Sequence, residues 1–219
     1  MPRLFDNDLN RLRERLLAMG AMAERMIHHT VETVVKHDLN LFQPVRELEE
    51  KMDALQREID EETIRLIGVY TPVASDLRLL LMTTRINAEL ERIGDQAMNI
   101  GFYTKNLLKE EPLKSVAGLP AMGETTQAML RNALDAFTQR SDELALDVIK
   151  TDDRVDHMND QIFRELLTYV LSDPQVISRV IELVLIARAI ERIADHAVSI
   201  AQDVVYMVRG EDIRHVRIE

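Results

Sequence analysis

The sequence predicts an all-α protein: tandem duplicated three-helix bundles, six long helices in antiparallel, coiled-coil-like packing. Three observations predict it. Apolar residues recur three and four positions apart along most of the chain, the period of helices that bury one face. With only 7 Gly and 6 Pro in 219 residues, little interrupts those stretches. And a motif is stated twice: Glu91-Arg92-Ile93-Gly94-Asp95 returns 100 residues later as Glu191-Arg192-Ile193-Ala194-Asp195.

Each element follows from its own pattern. Leu9, Leu12, Leu16, Met19, Ala23, Met26 and Thr30 form the heptad seam of a first helix over 6–36. The pattern breaks at His37-Asp38-Leu39-Asn40, where Asp38 or Asn40 can cap the next helix. That second helix carries Leu48, Met52, Leu55, Ile59, Thr63 and Leu66; the stretch from Gly68 to Pro72 ends it, with Thr71 extended because it precedes a proline. A third helix opens at Pro72 or Val73 and buries Leu79, Ile86, Leu90, Ile93, Ala97, Ile100 and Leu107. At about 35 residues it is roughly 50 Å long. Pro112, Gly118, Pro120 and Gly123 mark a linker, which divides the chain into a first bundle (1–110), a linker (111–123) and a second bundle (124–219). The fourth helix, 124–140, turns Met129, Ala133, Ala136 and Phe137 inward. Ser141 or Asp142 caps the fifth, which carries Val148, Val155, Met158, Ile162 and Leu166. Ser172-Asp173-Pro174 turns the chain, with Pro174 at the first helical position. The sixth helix buries Leu183, Ile186, Ile190, Ile193, Ala197 and Ile200 and stops at Gly210.

Composition narrows the function. A net charge of −11 with no evident basic face argues against binding duplex nucleic acid. The absence of Cys excludes disulfides, thiolate metal sites and Cys nucleophiles, and fits a reducing compartment. No apolar signal segment follows Met1, and the greasiest run, 180–190, is short and interrupted by Glu182 and Arg188, so any membrane contact is expected to be peripheral. There is no P-loop, Gly-rich phosphate loop or hydrolytic triad. The Glu-x-x-His pairs of di-iron bundles are missing from the helices, and Asp212-x-x-His215 lies in the tail.

What remains is acidic. Glu91 and Asp95 are four residues apart, as are Glu191 and Asp195, so each pair stacks on one helix face. Like charges at that spacing destabilise a helix by a few tenths of a kcal/mol. Glu49 and Asp53 form a third pair and Asp152 and Asp156 a fourth, displaced from the third by 103 residues. In heptad register all eight carboxylates fall off the seam. Counting outward from the turns near 71 and 173 puts Glu91 level with the Glu49–Asp53 pair, and Glu191 level with Asp152–Asp156. Four carboxylates at one height are the ingredients for a hard cation held by oxygen ligands, with more than one ion possible. The plainer alternative is a solvated acidic face paired with Arg92 and Arg192. His157 and His196 are expected to be surface neighbours rather than ligands, and Asn99 and Ser199, one turn beyond the aspartates, can hold a water.

At these residues the chain resembles the PhoU family, regulators accessory to bacterial phosphate-specific transport. The resemblance rests on Pro72-Val73-Ala74-Ser75-Asp76-Leu77-Arg78, on Glu91 to Ile100, on Glu191 to Ala201 and on Gly210-Glu211-Asp212-Ile213-Arg214-His215. It spans essentially the whole chain; Ser199 in place of a second Asn is a departure. It implies a cytoplasmic, non-enzymatic protein, often a homodimer, that represses phosphate-starvation signalling by linking a phosphate ABC transporter, through its ATPase subunit, to a sensor histidine kinase. It also implies iron or another metal, zinc among the candidates, at Glu49, Asp53, Glu91, Asp95, Asp152, Asp156, Glu191 and Asp195. Two rivals are a metal-dependent enzyme using the same carboxylates and a metal-free helical scaffold.

Overall fold

The computed structural model describes residues 4–111, 113 and 118–214. Six α-helices account for nearly all of them: α1 (Leu4–Lys36), α2 (Gln43–Tyr70), α3 (Ala74–Leu107), α4 (Gly118–Gln139), α5 (Asp142–Ser172) and α6 (Ile177–Arg209). Every position assigned to the seams of α3, α4 and α6 is buried. In α5, Val148, Val155, Ile162 and Leu166 are buried and Met158 is half-buried.

The joints differ from expectation in four places, one of them before α6, where Pro174 opens a separate 3-10 turn (Pro174–Val176) capped by Asp173 and the α-helix starts at Ile177. Asp38 does cap, accepting from the Asn40 amide at 2.9 Å, but it caps a single 3-10 turn (Leu39–Phe42) that precedes α2. That turn carries the Phe42 ring into the core, where α3 receives it at Gly101; a Cβ on Gly101 would sit 2.0 Å from the ring. Thr71 is not extended. It stands at φ 44°, ψ 56° as the left-handed end of α2, its amide bonded to the Ile67 carbonyl. Pro72 bars the right-handed helical region to the preceding residue, and satisfying the last turn's carbonyls outweighs the preference for an extended conformation. Finally, α4 begins at Gly118, inside the stretch read as a linker that ran to 123. Pro120 falls in its first turn, where no amide partner is needed, and Gly123 lets Val31 of α1 approach to 2.6 Å from the place of a Cβ.

The halves are joined more intimately than a linker suggests. α1, α3, α6 and α4 form a closed ring of neighbours; α2 packs outside α1 and α3, and α5 outside α4 and α6. The broadest helix contact of the molecule is α3 on α6, between the halves. One apolar cluster runs through both halves. Equivalent helices meet antiparallel. On α1 and α4, Glu24 pairs with Arg131 at 2.9 Å and Gly20 faces Leu134. On α3 and α6, Arg85 pairs with Asp203 at 3.1 Å, and Glu89 bonds His196 at 2.7 Å. Antiparallel pairing of equivalent helices is what an approximate two-fold axis between the halves produces.

Asp203 is the surprise within that contact. It lies on the buried side of α6, its side chain 4% exposed. Burial pushes its carboxyl up to about 6, against the pull of Arg85 and Arg214. Removing one partner of a buried pair strands the other charge, typically at about 3–5 kcal/mol. Arg85 is itself 38% exposed, so Arg85→Met is expected to cost less, about 2 kcal/mol, at pH 8. At pH 5, where Asp203 is protonated, most of that loss should vanish. Urea denaturation of both proteins at the two pH values checks this.

Candidate metal centre

Each half gathers its four acids by register. In the first half, buried Asn87 of α3 donates through Nδ2 to the Gln56 carbonyl and to Asp60 Oδ1 of α2, both at 3.0 Å. Running the antiparallel pair one turn further sets Glu91 beside Asp53 and Asp95 beside Glu49. The electrostatics agree. Glu49 is raised by burial first, then by Asp53 and Asp95. Glu91 is raised by burial, then by Asp95 and Asp53, with Arg92 opposing.

The second half repeats the arrangement with a stronger effect. Burial, then Asp156, Asp195, Asp153 and Glu191, push Asp152 from 3.8 up to about 7. Glu191 and Asp195 are also raised, by burial first and then by neighbouring carboxylates. Around the motif the two copies share one burial pattern: Glu half-buried, Arg exposed, Ile and the small residue buried, Asp exposed. Gly94 against Ala194 makes no difference to space, since a Cβ on Gly94 would meet Met52 at an ordinary 3.4 Å.

All eight predicted residues therefore lie off the core and fall into two groups of four. Among the described residues, no three acidic or histidine side chains converge closely enough to ligate one ion as they stand. Among the described residues neither motif arginine forms an ion pair with its own cluster, although Arg92 and Arg192 each pull the adjoining Glu91 or Glu191 downward. Arg92 bonds Glu89 at 2.6 Å instead.

The histidines divide. His157 is exposed and turns its Nδ1 to the Asp153 carbonyl. His196 bonds Glu89 across the α3–α6 contact, between the two clusters. Burial is the largest single influence on Glu89 and raises it, but His196 and Arg92 together outweigh it and hold that carboxyl below the usual range. The corresponding residues on the other side of the two-fold are Gln96 and Ala189, so the bond is made once. The heptad analysis missed this pairing; the signal was a Glu and a His on the helix flanks that also carry the motifs. His215 of the tail pair lies outside the described residues.

The fold and the site define a class: duplicated helical bundles that carry a paired acidic signature on two helices of each half. Within that class the chain belongs to the PhoU family, whose PhoU domain matches residues 16–104 and again 119–204. It is 38% identical over 97% of its length to a Pseudomonas aeruginosa protein named phosphate-specific transport system accessory protein PhoU homolog, covering 88% of that protein. A Clostridium acetobutylicum protein of the same name is 32% identical, with 96% of this chain and 97% of the relative covered. The crystal structure of PhoU from Pseudomonas aeruginosa superposes with a TM-score of 0.90 at 38% identity, covering 94% of this chain and all of that one. The Streptococcus pneumoniae phosphate transport system regulatory protein PhoU shares the fold, with a TM-score of 0.88, 24% identity, and 95% and 98% coverage. Among the described residues no helix is long and apolar enough to cross a membrane.

The raised carboxyls make the metal-free protein sensitive to pH. A carboxyl raised by folding holds its proton more tightly folded than unfolded, so its stabilising contribution is greatest in acid and is lost as pH rises through the folded value. For Asp152 that window runs from 3.8 to about 7. With chelator present, stability should fall between pH 5.5 and pH 8. Asp152→Asn should be more stable than the unaltered protein at pH 8 and show a flatter profile by urea denaturation; the pH dependence left over belongs to Asp203 and the other raised carboxyls.

Proposed function

We propose that the protein is a cytoplasmic, non-catalytic negative regulator of phosphate uptake. In this reading it acts as a homodimer beside a phosphate ABC transporter, contacting the transporter's ATPase subunit, and passes the signal to a sensor histidine kinase. Support comes from the relatives, named as accessory to phosphate-specific transport, which it matches over nearly their whole length. The observation that carries the physical half of the reading is the duplicated group of four crowded carboxylates. An all-oxygen, net-negative donor set suits hard divalent or trivalent cations, iron first, with zinc and others competing. Glu49, Asp53, Glu91 and Asp95 would hold one such site, and Asp152, Asp156, Glu191 and Asp195 the other. A bound cation would supply the positive charge that relieves the crowding and draw the carboxylates together.

Two measurements test the two halves of this reading. Equilibrium dialysis with iron(II) or zinc at pH 7.5 should show binding, and the double substitution Asp152→Asn/Asp156→Asn should remove the second-half share. At pH 5.5 binding should weaken, because protons compete for Asp152. Independently, the tagged protein from phosphate-replete cells should recover the transporter ATPase or the kinase after crosslinking; recovery of neither rules out the adaptor role.

A further inference from the structure

The two halves share a plan, and one of their differences leaves a groove with an apolar wall in the second half. In the first half the outward face between α2 and α3 is closed by the polar clamp of Asn87, Asp60 and the Gln56 carbonyl. At the corresponding positions of the second half stand Ala187, Phe163 and Asn159. No clamp forms there. A cavity of about 240 Å³ opens instead, lined by Ile162, Phe163, Val184 and Ala187 together with the polar Asn159, Asp160, Arg188 and Glu191.

The cavity is the middle of a longer stripe. Toward the α5–α6 turn, Leu167 and Leu171 continue the face of Phe163 on α5, and Ile181 and Ile177 continue it on α6. These five are between 43% (Leu167) and 84% (Leu171) exposed. In the first half, Asp60, Gly68 and Thr84 replace Phe163, Leu171 and Val184, while Ile64 and Leu81, the counterparts of Leu167 and Ile181, remain exposed, so the stripe there is interrupted where in the second half it is continuous. Away from the turn the same face runs into Asp156, Glu191, Asp152 and Asp195, and Arg188 at the junction offsets part of the Glu191 charge. One outward groove is thus greasy at one end and strongly acidic at the other. From 152 to 171 it spans about 28 Å along α5.

We infer that the α5–α6 groove docks a basic amphipathic helix of a partner protein, its apolar residues along Phe163, Leu167, Leu171 and Ile181 and its lysines or arginines against the second acidic cluster. Charge complementarity selects this occupant. Anionic membrane would be repelled by the four carboxylates beside the apolar strip. A helix with large residues at i, i+4 and i+8 matches the spacing of the α5 face, and one side chain can enter the cavity. The inference does not rest on phosphate regulation or on metal binding, and its test contains neither transporter nor cation.

The probe is a labelled synthetic 20-residue helix with leucines at i, i+4 and i+8 and a lysine cluster beyond them, measured by fluorescence anisotropy in chelator. The expected result is saturable, salt-sensitive binding at one site. Phe163→Asp/Ala187→Asn, which transplants the first half's clamp, should weaken it at least tenfold. Leu171→Asp, at a largely exposed position, should do the same without touching the core, and circular dichroism checks that both fold. The reciprocal Asp60→Phe/Gly68→Leu/Thr84→Val/Asn87→Ala, which rebuilds the whole stripe in the first half, should raise the stoichiometry from one helix to two. The inference is overturned if a peptide with glutamates in place of the lysines binds equally well, or if the clamp and Leu171 variants bind unchanged. It is also overturned if those substitutions abolish only binding to phosphatidylglycerol vesicles, or only self-association in sedimentation.

Discussion

The antiparallel contact of α3 on α6 is the constraint on which the rest depends. Both helices must bury a side against their own bundle and a second side against each other. Their sequences are correspondingly rich in small and apolar residues on two flanks, with Ala187, Ala189, Ala194, Ala197 and Ala201 all buried on α6. What is left for solvent is a narrow strip, and the acidic motifs occupy it. Because the helices cross antiparallel about the Glu89–His196 bond, the two clusters come to the same level of the molecule, one on either side of a shared core. The positions of the clusters therefore follow from packing between the halves as much as from packing within them.

Much of this was legible in the sequence, and the reasons are particular. The seam of α3 read correctly because Ile86, Leu90, Ile93 and Ala97 obey one period over many turns. The height of the clusters read correctly because a tight turn between two long helices leaves little slack in register. The closed ring of four central helices did not read, because a heptad pattern reports one buried stripe and α6 has two. Asp203 was lost for the same reason, as a charge on a flank that single-helix periodicity assigns to solvent. Thr71 was misjudged because the rule for residues before proline says which region is disfavoured, and the demand of a helix end decided among those that remained.

Within the clusters, the chain accepts an electrostatic penalty that neutral residues would avoid. Asp152 is held with a carboxyl that titrates near neutrality, half-covered by its neighbours, with no arginine bonded to it. Uncompensated charge of this kind at a surface is unusual for a group with only a structural role. The same crowding that would welcome a cation also gives the adjoining groove its acidic end, so one arrangement of side chains bears on both ion and protein recognition.

The approximate symmetry also bears on what either half would be by itself. A single three-helix unit would present the inter-half face of its third helix bare to water, an apolar stripe as long as the helix itself. Such a surface drives self-association, and a two-fold pairing is the simplest way to cover it. A half on its own would accordingly pair with a second copy, and carrying both copies in one chain makes that interface a core. Within one chain the copies need not be identical, and the polar clamp stands in the first and not in the second.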